Sequence, residues 1–150
     1  MKTSAQPRRS VPCPEEAAYV ELLRTADLLS RATAQLLKTE DLSSTQYNVL
    51  RILRGAPEGL LCGEVAARMI SRDPDITRLL DRLEKRKLIA RSRQERDRRM
   101  VLARITEDGM ALLERLDEPV KEVHRRQLGH LGQKRLRELM SLLTVARESV

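Results

Sequence analysis

Arginine and lysine are concentrated in one part of the chain, residues 68–104. This segment holds thirteen basic and six acidic residues, so its net charge of +7 equals the formal net charge of the whole 150-residue chain. Guanidinium and ammonium groups neutralise phosphate, and a charge confined to one segment points to one binding face. The chemistry expected here is the binding of a polyanion, with nucleic acid as the first candidate and a solvated charged surface as the alternative.

Covalent and metal chemistry find little support elsewhere in the sequence. His124 and His130 have no acid or cysteine at the spacing of a catalytic triad or a metal motif. Cys13 and Cys62 are too few and too far apart for a zinc motif or a disulfide framework. We therefore predict no enzyme, no metal site and no cofactor. Only a convergence of Cys62 with both histidines across two copies of the chain would change this.

The basic residues belong first to a predicted helix. Its apolar residues recur at i, i+3, i+4 and i+7, which gathers them on one stripe of a helix: Ile76, Leu79, Leu80 and Leu83. Arg78, Arg82 and Lys85 then lie on the other side. Asp73 and Pro74 predict an N-cap and a first helical residue, because proline disfavours helical angles in the residue before it and needs no N–H at that place.

A predicted hairpin follows this helix. Residues 88–93 and 100–105 have the pattern of strands, and residues 94–99 between them are polar and rich in arginine. A basic helix followed by a hairpin with arginines at its tip is the layout of a winged helix-turn-helix. Such a helix fits the roughly 12 Å wide major groove of duplex DNA, and arginines on a thin loop can enter the narrow minor groove.

This layout predicts the residues that contact DNA. They are Arg72, Asp75, Thr77, Arg78, Arg82, Lys85, Arg91, Arg93, Arg96, Arg98 and Arg99. We expect Arg78 and Arg82 to reach base edges, and Lys85, Arg91 and Arg93 to meet phosphate.

The tip of the hairpin is expected to work as a unit in which Arg99 enters the minor groove. Asp97 stands two residues earlier, where its charge repels phosphate. This position predicts a geometric role for the carboxylate, the bracing of a basic side chain such as Arg78 or Arg82.

Three motifs in this segment carry a family resemblance. They are residues 77–84 (TRLLDRLE), Leu88-Ile89 followed by Arg91, and Asp97-Arg98-Arg99 followed by Val101-Leu102, Ile105-Thr106 and Gly109. The last resembles the D-x-R wing signature, with its trailing L-T-x-x-G, of the MarR-type (multiple antibiotic resistance regulator) transcriptional regulators. The order of elements is similar over roughly residues 15–148. Lys87 departs from the family, which usually has glycine at this helix end, and so do the acids Asp73 and Asp75 before the recognition helix.

The amino-acid composition indicates which kind of nucleic acid the chain binds and where in the cell it acts. Tyr19 and Tyr47 are the only aromatic residues, which counts against the stacking platforms of single-strand nucleic-acid binding and favours duplex DNA. No apolar run approaches the roughly 20 residues of a membrane span, and no signal-peptide pattern opens the chain. We expect a cytoplasmic protein without a membrane partner.

The rest of the chain predicts a frame around the helix-turn-helix. Residues 1–14 are expected to form a flexible basic arm, and residues 15–150 a single domain with the winged helix-turn-helix at about 43–105. A short third strand near Leu60 and a positioning helix at residues 63–69 complete it. Helices at about 15–39 and 106–148 carry more apolar surface than one small domain covers. The family resemblance implies that they form a dimer interface, and packing within one chain is the alternative.

The fold class is therefore mainly α with a small β-hairpin wing and terminal dimerisation helices. The leading function is a dimeric, sequence-specific regulator of transcription on a near-palindromic operator, most simply a repressor relieved by a small molecule. The resemblance implies phenolic and other aromatic acids as the ligand class. Three alternatives are a nucleoid-type protein without ligand control, a redox sensor that uses Cys13, and a module that binds acidic proteins. Some relatives pair a sensing cysteine with a tyrosine where this chain has Ser44.

Overall fold

The computed structural model describes residues 13–72, 75–93, 97 and 99–148. Within these residues the elements in chain order are α1 (Pro14–Lys38), α2 (Ser44–Arg54), β1 (Leu60–Leu61), α3 (Cys62–Arg68), α4 (Ile76–Lys85), β2 (Ile89–Arg93), β3 (Val101–Ile105), α5 (Glu107–Leu128) and α6 (Gly132–Glu148). A short 3₁₀ turn, Gly129–Leu131, joins α5 to α6. The predicted fold class, mainly α with a small wing, is confirmed.

The chain divides into two compact units, Met1–Arg31 and Ala32–Val150. The described part of the first unit is Cys13 and the first eighteen residues of α1, Pro14 to Arg31. The expected arm at residues 1–14 lies outside the described residues except for Cys13 and Pro14, and Pro14 already belongs to α1. The second unit holds the winged helix-turn-helix and the two C-terminal helices.

An aliphatic core holds the second unit together. Tyr47, Leu50 and Leu53 of α2 are buried, as their spacing predicts, and so is the stripe of α4. Within the part of the chain that the structure describes, the buried hydrophobic residues belong to one cluster, in which Tyr47 is the aromatic member. Each fully buried leucine contributes about 1.5–3 kcal/mol relative to an exposed one. This burial fixes which side of α4 faces outward.

The wing is part of a three-stranded antiparallel sheet in the order β1-β3-β2. In the hairpin, Ile89 pairs with Ile105 and Arg93 with Val101. The expected third strand is β1, in which Leu60 pairs with Ala103. The sheet thus joins the wing to the segment that begins the helix-turn-helix.

Helix starts follow their capping residues, with one correction. Ser43 and Gln46 form a capping box at α2, and the Thr106 hydroxyl caps α5 by accepting from the Gly109 amide at 3.1 Å. Asp73 and Pro74, the predicted cap and first helical residue, lie outside the described residues. The described helix α4 begins later than predicted, at Ile76, and its N-cap is Asp75, whose carboxylate accepts from the Arg78 amide at 3.1 Å.

The turn from α4 into β2 has a left-handed residue, Lys87, with φ of +60°. This is the place where the family usually has glycine, which adopts such angles without strain. The Lys87 carbonyl accepts from the Thr106 hydroxyl at 2.6 Å, so the turn is held to the start of α5. A Cβ on Gly109 would lie 2.3 Å from the Leu88 carbonyl oxygen, so α5 approaches this turn closely only because residue 109 is glycine.

Two features of the C-terminal helices bear on the site. Nη1 of Arg54 in α2 donates to both carboxylate oxygens of Asp117 in α5, at 3.0 Å to Oδ1 and 2.9 Å to Oδ2. This hydrogen bonding raises the pKa of Arg54. The pair fixes α5 against the helix-turn-helix. Pro119 lies inside α5, which continues to Leu128.

Candidate nucleic-acid interface

Helix α4 presents one polar face to solvent. Thr77, Arg78, Arg82 and Lys85 are exposed, while Leu79, Leu80 and Leu83 on the opposite side are buried. The apolar stripe therefore sets the direction of the three cationic side chains. A helix with this face outward has the geometry needed to enter a major groove.

Arg78 is held in place by the residue that caps the helix. Its Nε lies 3.2 Å from Asp75 Oδ2, and the two side chains are 73% and 51% exposed. An exposed ion pair of this kind is worth less than about 1 kcal/mol. Asp75 can therefore orient Arg78 without preventing its guanidinium from exchanging the carboxylate for a base edge or a phosphate.

Arg91 has partners that the sequence did not predict. It lies on β2, and its guanidinium donates to Glu84 Oε2 of α4 from Nε at 3.0 Å and from Nη2 at 2.6 Å. Nη2 also donates to Asp81, and the Arg91 amide donates to Glu84 Oε1 at 3.1 Å. The Arg91 side chain is only 20% exposed. The residue expected to meet phosphate is thus occupied by two carboxylates and joins the wing to α4.

This cluster shifts the ionisation of its members. The hydrogen bonds from Arg91 lower the pKa of Glu84 below its ordinary value of 4.5, and those to Glu84 raise the pKa of Arg91. Both groups therefore stay charged at neutral pH. We call Asp81, Glu84 and Arg91 the clamp.

Asp97 makes its described contacts within the wing tip, and its bracing of a basic side chain stays a prediction. Its Oδ1 accepts from the Arg99 amide at 2.9 Å, and its own carbonyl accepts from the Met100 amide at 2.9 Å. The carboxylate thus shapes the backbone of the wing tip. Arg78, one of the two side chains it was expected to brace, pairs with Asp75 instead.

The remaining predicted residues fall into two groups. Arg72, Arg93 and Arg99 are exposed, on the turn before α4, at the end of β2 and at the wing tip. Arg96 and Arg98 lie outside the described residues, so the structure gives no position for these two predicted contacts.

Two residues that position elements of the interface were not predicted from the sequence. Arg86, directly after α4, donates from Nη2 to the Glu40 carbonyl at 3.0 Å and from Nη1 to the Asp41 carbonyl, which fixes the turn between α1 and α2. Asn48 of α2 accepts from the Ile70 amide at 2.9 Å and so holds the turn of the helix-turn-helix. Neither contact has a local sequence signal, because the partners are 45, 46 and 22 residues apart.

The described residues also show what the chain offers for metal binding, cysteine chemistry and membrane insertion. No group of three or more His, Cys, Asp or Glu side chains there is arranged to hold a metal ion. Cys13 is exposed, Cys62 is half-buried, and both are free thiols. No described helix has the length and apolar character of a membrane span.

Comparisons with known proteins agree on one family. A profile of the MarR family matches residues 40–100. The HTH-type transcriptional regulator PecS of Dickeya dadantii is 30% identical over 124 residues, which are 81% of this chain and 75% of that protein. The crystal structure of a MarR transcription factor from Planctomyces limnophilus is 40% identical, with a TM-score of 0.69 over 91% of this chain and 99% of that one.

A third comparison concerns the fold alone. BpsR of Bordetella bronchiseptica is 24% identical to this chain. Its structure concerns a mechanism by which 6-hydroxynicotinic acid regulates DNA binding by BpsR. Its TM-score is 0.81 over 92% of this chain and 98% of that one.

Proposed function

Because the chain belongs to the MarR family of DNA-binding transcriptional regulators, we propose that it acts as a homodimer on a near-palindromic duplex site and represses transcription there until a small molecule relieves it. Its family and fold make it a regulator rather than an enzyme. The observation that carries the proposal is the outward face of α4, with Arg78, Arg82 and Lys85 exposed beside a wing that the clamp fixes to the same helix. In this proposal the protein acts on DNA in the cytoplasm.

In this proposal α4 enters the major groove, where Arg78 and Arg82 contact base edges and Thr77 and Asp75 lie nearby. Lys85 and Arg93 meet phosphates on either side, and Arg99 follows the wing into the minor groove. Arg91 is no longer counted as a phosphate contact. Its role in this proposal is to fix the wing at a constant angle to α4 through the clamp. Arg72, on the turn before α4, is a further phosphate contact.

Exposed apolar side chains support a second copy of the chain as a partner. In the first unit Tyr19, Leu23 and Leu28 of α1 are 62%, 54% and 63% exposed. In the second unit Leu142 and Val145 of α6 are 69% and 61% exposed. Clusters of exposed large apolar residues mark protein interfaces, and most soluble oligomers are two-fold dimers. A two-fold dimer then reads two half-sites about one helical turn apart, on the order of 10 bp.

Sedimentation and DNA titration test this proposal together. Purified protein should sediment as a dimer at micromolar concentration, and Leu142→Glu should shift it toward monomer and weaken DNA binding. Glu138→Gln is a control on an exposed position of the same helix. A wild-type monomer that binds duplex DNA with full affinity would overturn the dimer.

Ligand control is supported by a fold neighbour, since the DNA binding of BpsR is described as regulated by 6-hydroxynicotinic acid. The test is a titration of the protein against its own upstream DNA, repeated with a panel of phenolic and other aromatic acids. One or more acids should release the DNA at constant ionic strength. If none does, the chain is better described as a regulator without a ligand of this class.

A further inference from the structure

A basic groove lies beside α4 in the second unit, with a volume of about 550 Å³. One wall is the last turn of α4, with Arg82 and Lys85, and the residue after it, Arg86. The other wall is the end of α1, with Lys38, and the turn that leads into the first turn of α2. The groove thus begins on α4 and ends on the end of α1 and the start of α2, outside α3, α4 and the wing.

The charges in this groove are unbalanced. Four basic side chains line it, against the single carboxylate of Asp41. Among the described residues, no hydrogen bond or ion pair engages the side chains of Lys38, Arg82 or Lys85. Arg86 is already engaged by backbone carbonyls and Arg82 is assigned to base edges above, so Lys38 and Lys85 remain for a ligand in the groove. A concave surface of this charge favours an anion.

The two walls are held together. Arg86 donates to the carbonyls of Glu40 and Asp41, and the Glu40 carboxylate lies 3.3 Å from Nη2 of Arg115 in α5. The turn between α1 and α2 therefore keeps its position relative to α4. When α4 docks on DNA, Lys38 and the start of α2 must move with it.

We propose that this groove binds a phosphate of the DNA backbone, so that the DNA interface extends from α4 to Lys38 and the start of α2. The proposal rests on the function proposed above. A helix in the major groove has a phosphate strand on each side, and a groove that borders α4 at Arg82 and Lys85 would face one of them. The N-terminus of α2, an eleven-residue helix, adds partial positive charge.

The phosphate of a polymer fits this groove better than a free anion does. An exposed ion pair contributes less than about 1 kcal/mol and is screened by salt, so a free anion gains little from these exposed cations. A DNA phosphate reaches the same cations as part of a docked complex and gains from the release of counterions. The shared chemistry is an oxyanion, and the two sources differ in how they respond to salt and to competitors.

Two substitutions of opposite sign test the proposal on the full chain. Lys38→Gln should weaken binding about fivefold per protomer at 0.15 M monovalent salt, equally for the best site and for random duplex, and lower the salt slope by about one per protomer. Asp41→Asn should tighten binding to both duplexes, because it removes the repelling charge. Asp41 has φ of +53°, an angle that asparagine accepts, so the turn should be kept.

The matched control is Lys134→Gln, the same change at an exposed lysine of α6. It should leave affinity and slope as in the wild type, and all variants should keep the wild-type Tm within about 2 °C. Equal slopes for Lys38→Gln and Lys134→Gln would overturn the proposal. So would a Lys38→Gln protein that binds DNA normally but loses sensitivity to inorganic phosphate, since the groove would then serve a free anion. A wild-type protein without duplex affinity would instead refute the proposed function.

Discussion

Replacing Arg91 with glutamine should destabilise the protein and should weaken its attraction to DNA through the lost charge, without removing a phosphate contact. The guanidinium makes three side-chain hydrogen bonds to Glu84 and Asp81 and is 20% exposed, whereas the two carboxylates are 39% and 45% exposed. Hydrogen bonds between charged groups contribute about 1.5–3 kcal/mol when shielded, and exposed pairs less than about 1 kcal/mol.

The clamp lies between these limits, so we expect Arg91→Gln to lower the free energy of unfolding by about 1.5 kcal/mol. For a chain of this length this corresponds to a fall in Tm of about 3–6 °C. Arg93→Gln is the matched control, because Arg93 is on the same face of β2 but is exposed. It should change stability by less than about 0.5 kcal/mol and should lower the salt slope of DNA binding by about one per protomer.

Urea unfolding and DNA titration at several salt concentrations measure the two effects. A double-mutant cycle of Arg91→Gln with Glu84→Gln should give a coupling energy of at least about 0.5 kcal/mol. Arg91→Gln should also lose more affinity for the best site than for random duplex, because the lost charge weakens both and only the best site depends on a wing fixed to α4. An unchanged stability with a salt slope lowered by one would refute the clamp and make Arg91 a phosphate contact.

Four further predictions concern single positions. Arg78→Ala should lose about 1–3 kcal/mol on the best site and little on random duplex, and an equal loss on both would remove Arg78 from base reading. Asp97→Asn keeps an acceptor for the Arg99 amide and removes a charge, so binding to both duplexes should tighten, whereas Asp97→Ala should weaken binding most at A-tract flanks. Lys87→Gly should raise the free energy of unfolding in urea by about 0.5–1 kcal/mol, because it relieves the left-handed backbone, and a lower value would contradict this strain. The lowered pKa of Glu84 contributes stability that is present above its ordinary value of 4.5 and is lost as the pH falls through the folded value, so Arg91→Gln should flatten the acid side of a Tm-versus-pH curve.

Periodicity and capping chemistry predicted most of the fold. The buried stripe of α4 and the strands of the wing follow from spacings within ten residues, because each element is decided by local contacts. The start of α4 was missed by about two residues, since Asp73 and Asp75 are equally good caps in sequence. Only the hydrogen bond to the Arg78 amide identifies Asp75 as the cap.

The roles of charged residues were less predictable. Arg91 and Arg93 have the same side chain, strand and parity, and differ only because α4 packs beside Arg91. One signal was available: Asp81 and Glu84 are acids three residues apart on an otherwise basic helix, so they needed a cationic partner. Arg86 gave no such signal, since its partners are backbone carbonyls of a distant turn.

The central claim is sequence-specific recognition of duplex DNA by α4 and the wing. Its most direct test is the ratio of affinities for a selected near-palindromic duplex and for the same duplex with shuffled sequence, both at 0.15 M salt. We predict a ratio of at least about 10³, which should fall sharply when the half-sites are separated by an additional half turn, about 5 bp. A ratio near one, unaffected by spacing, would contradict the claim and indicate a nucleoid-type protein bound by charge alone.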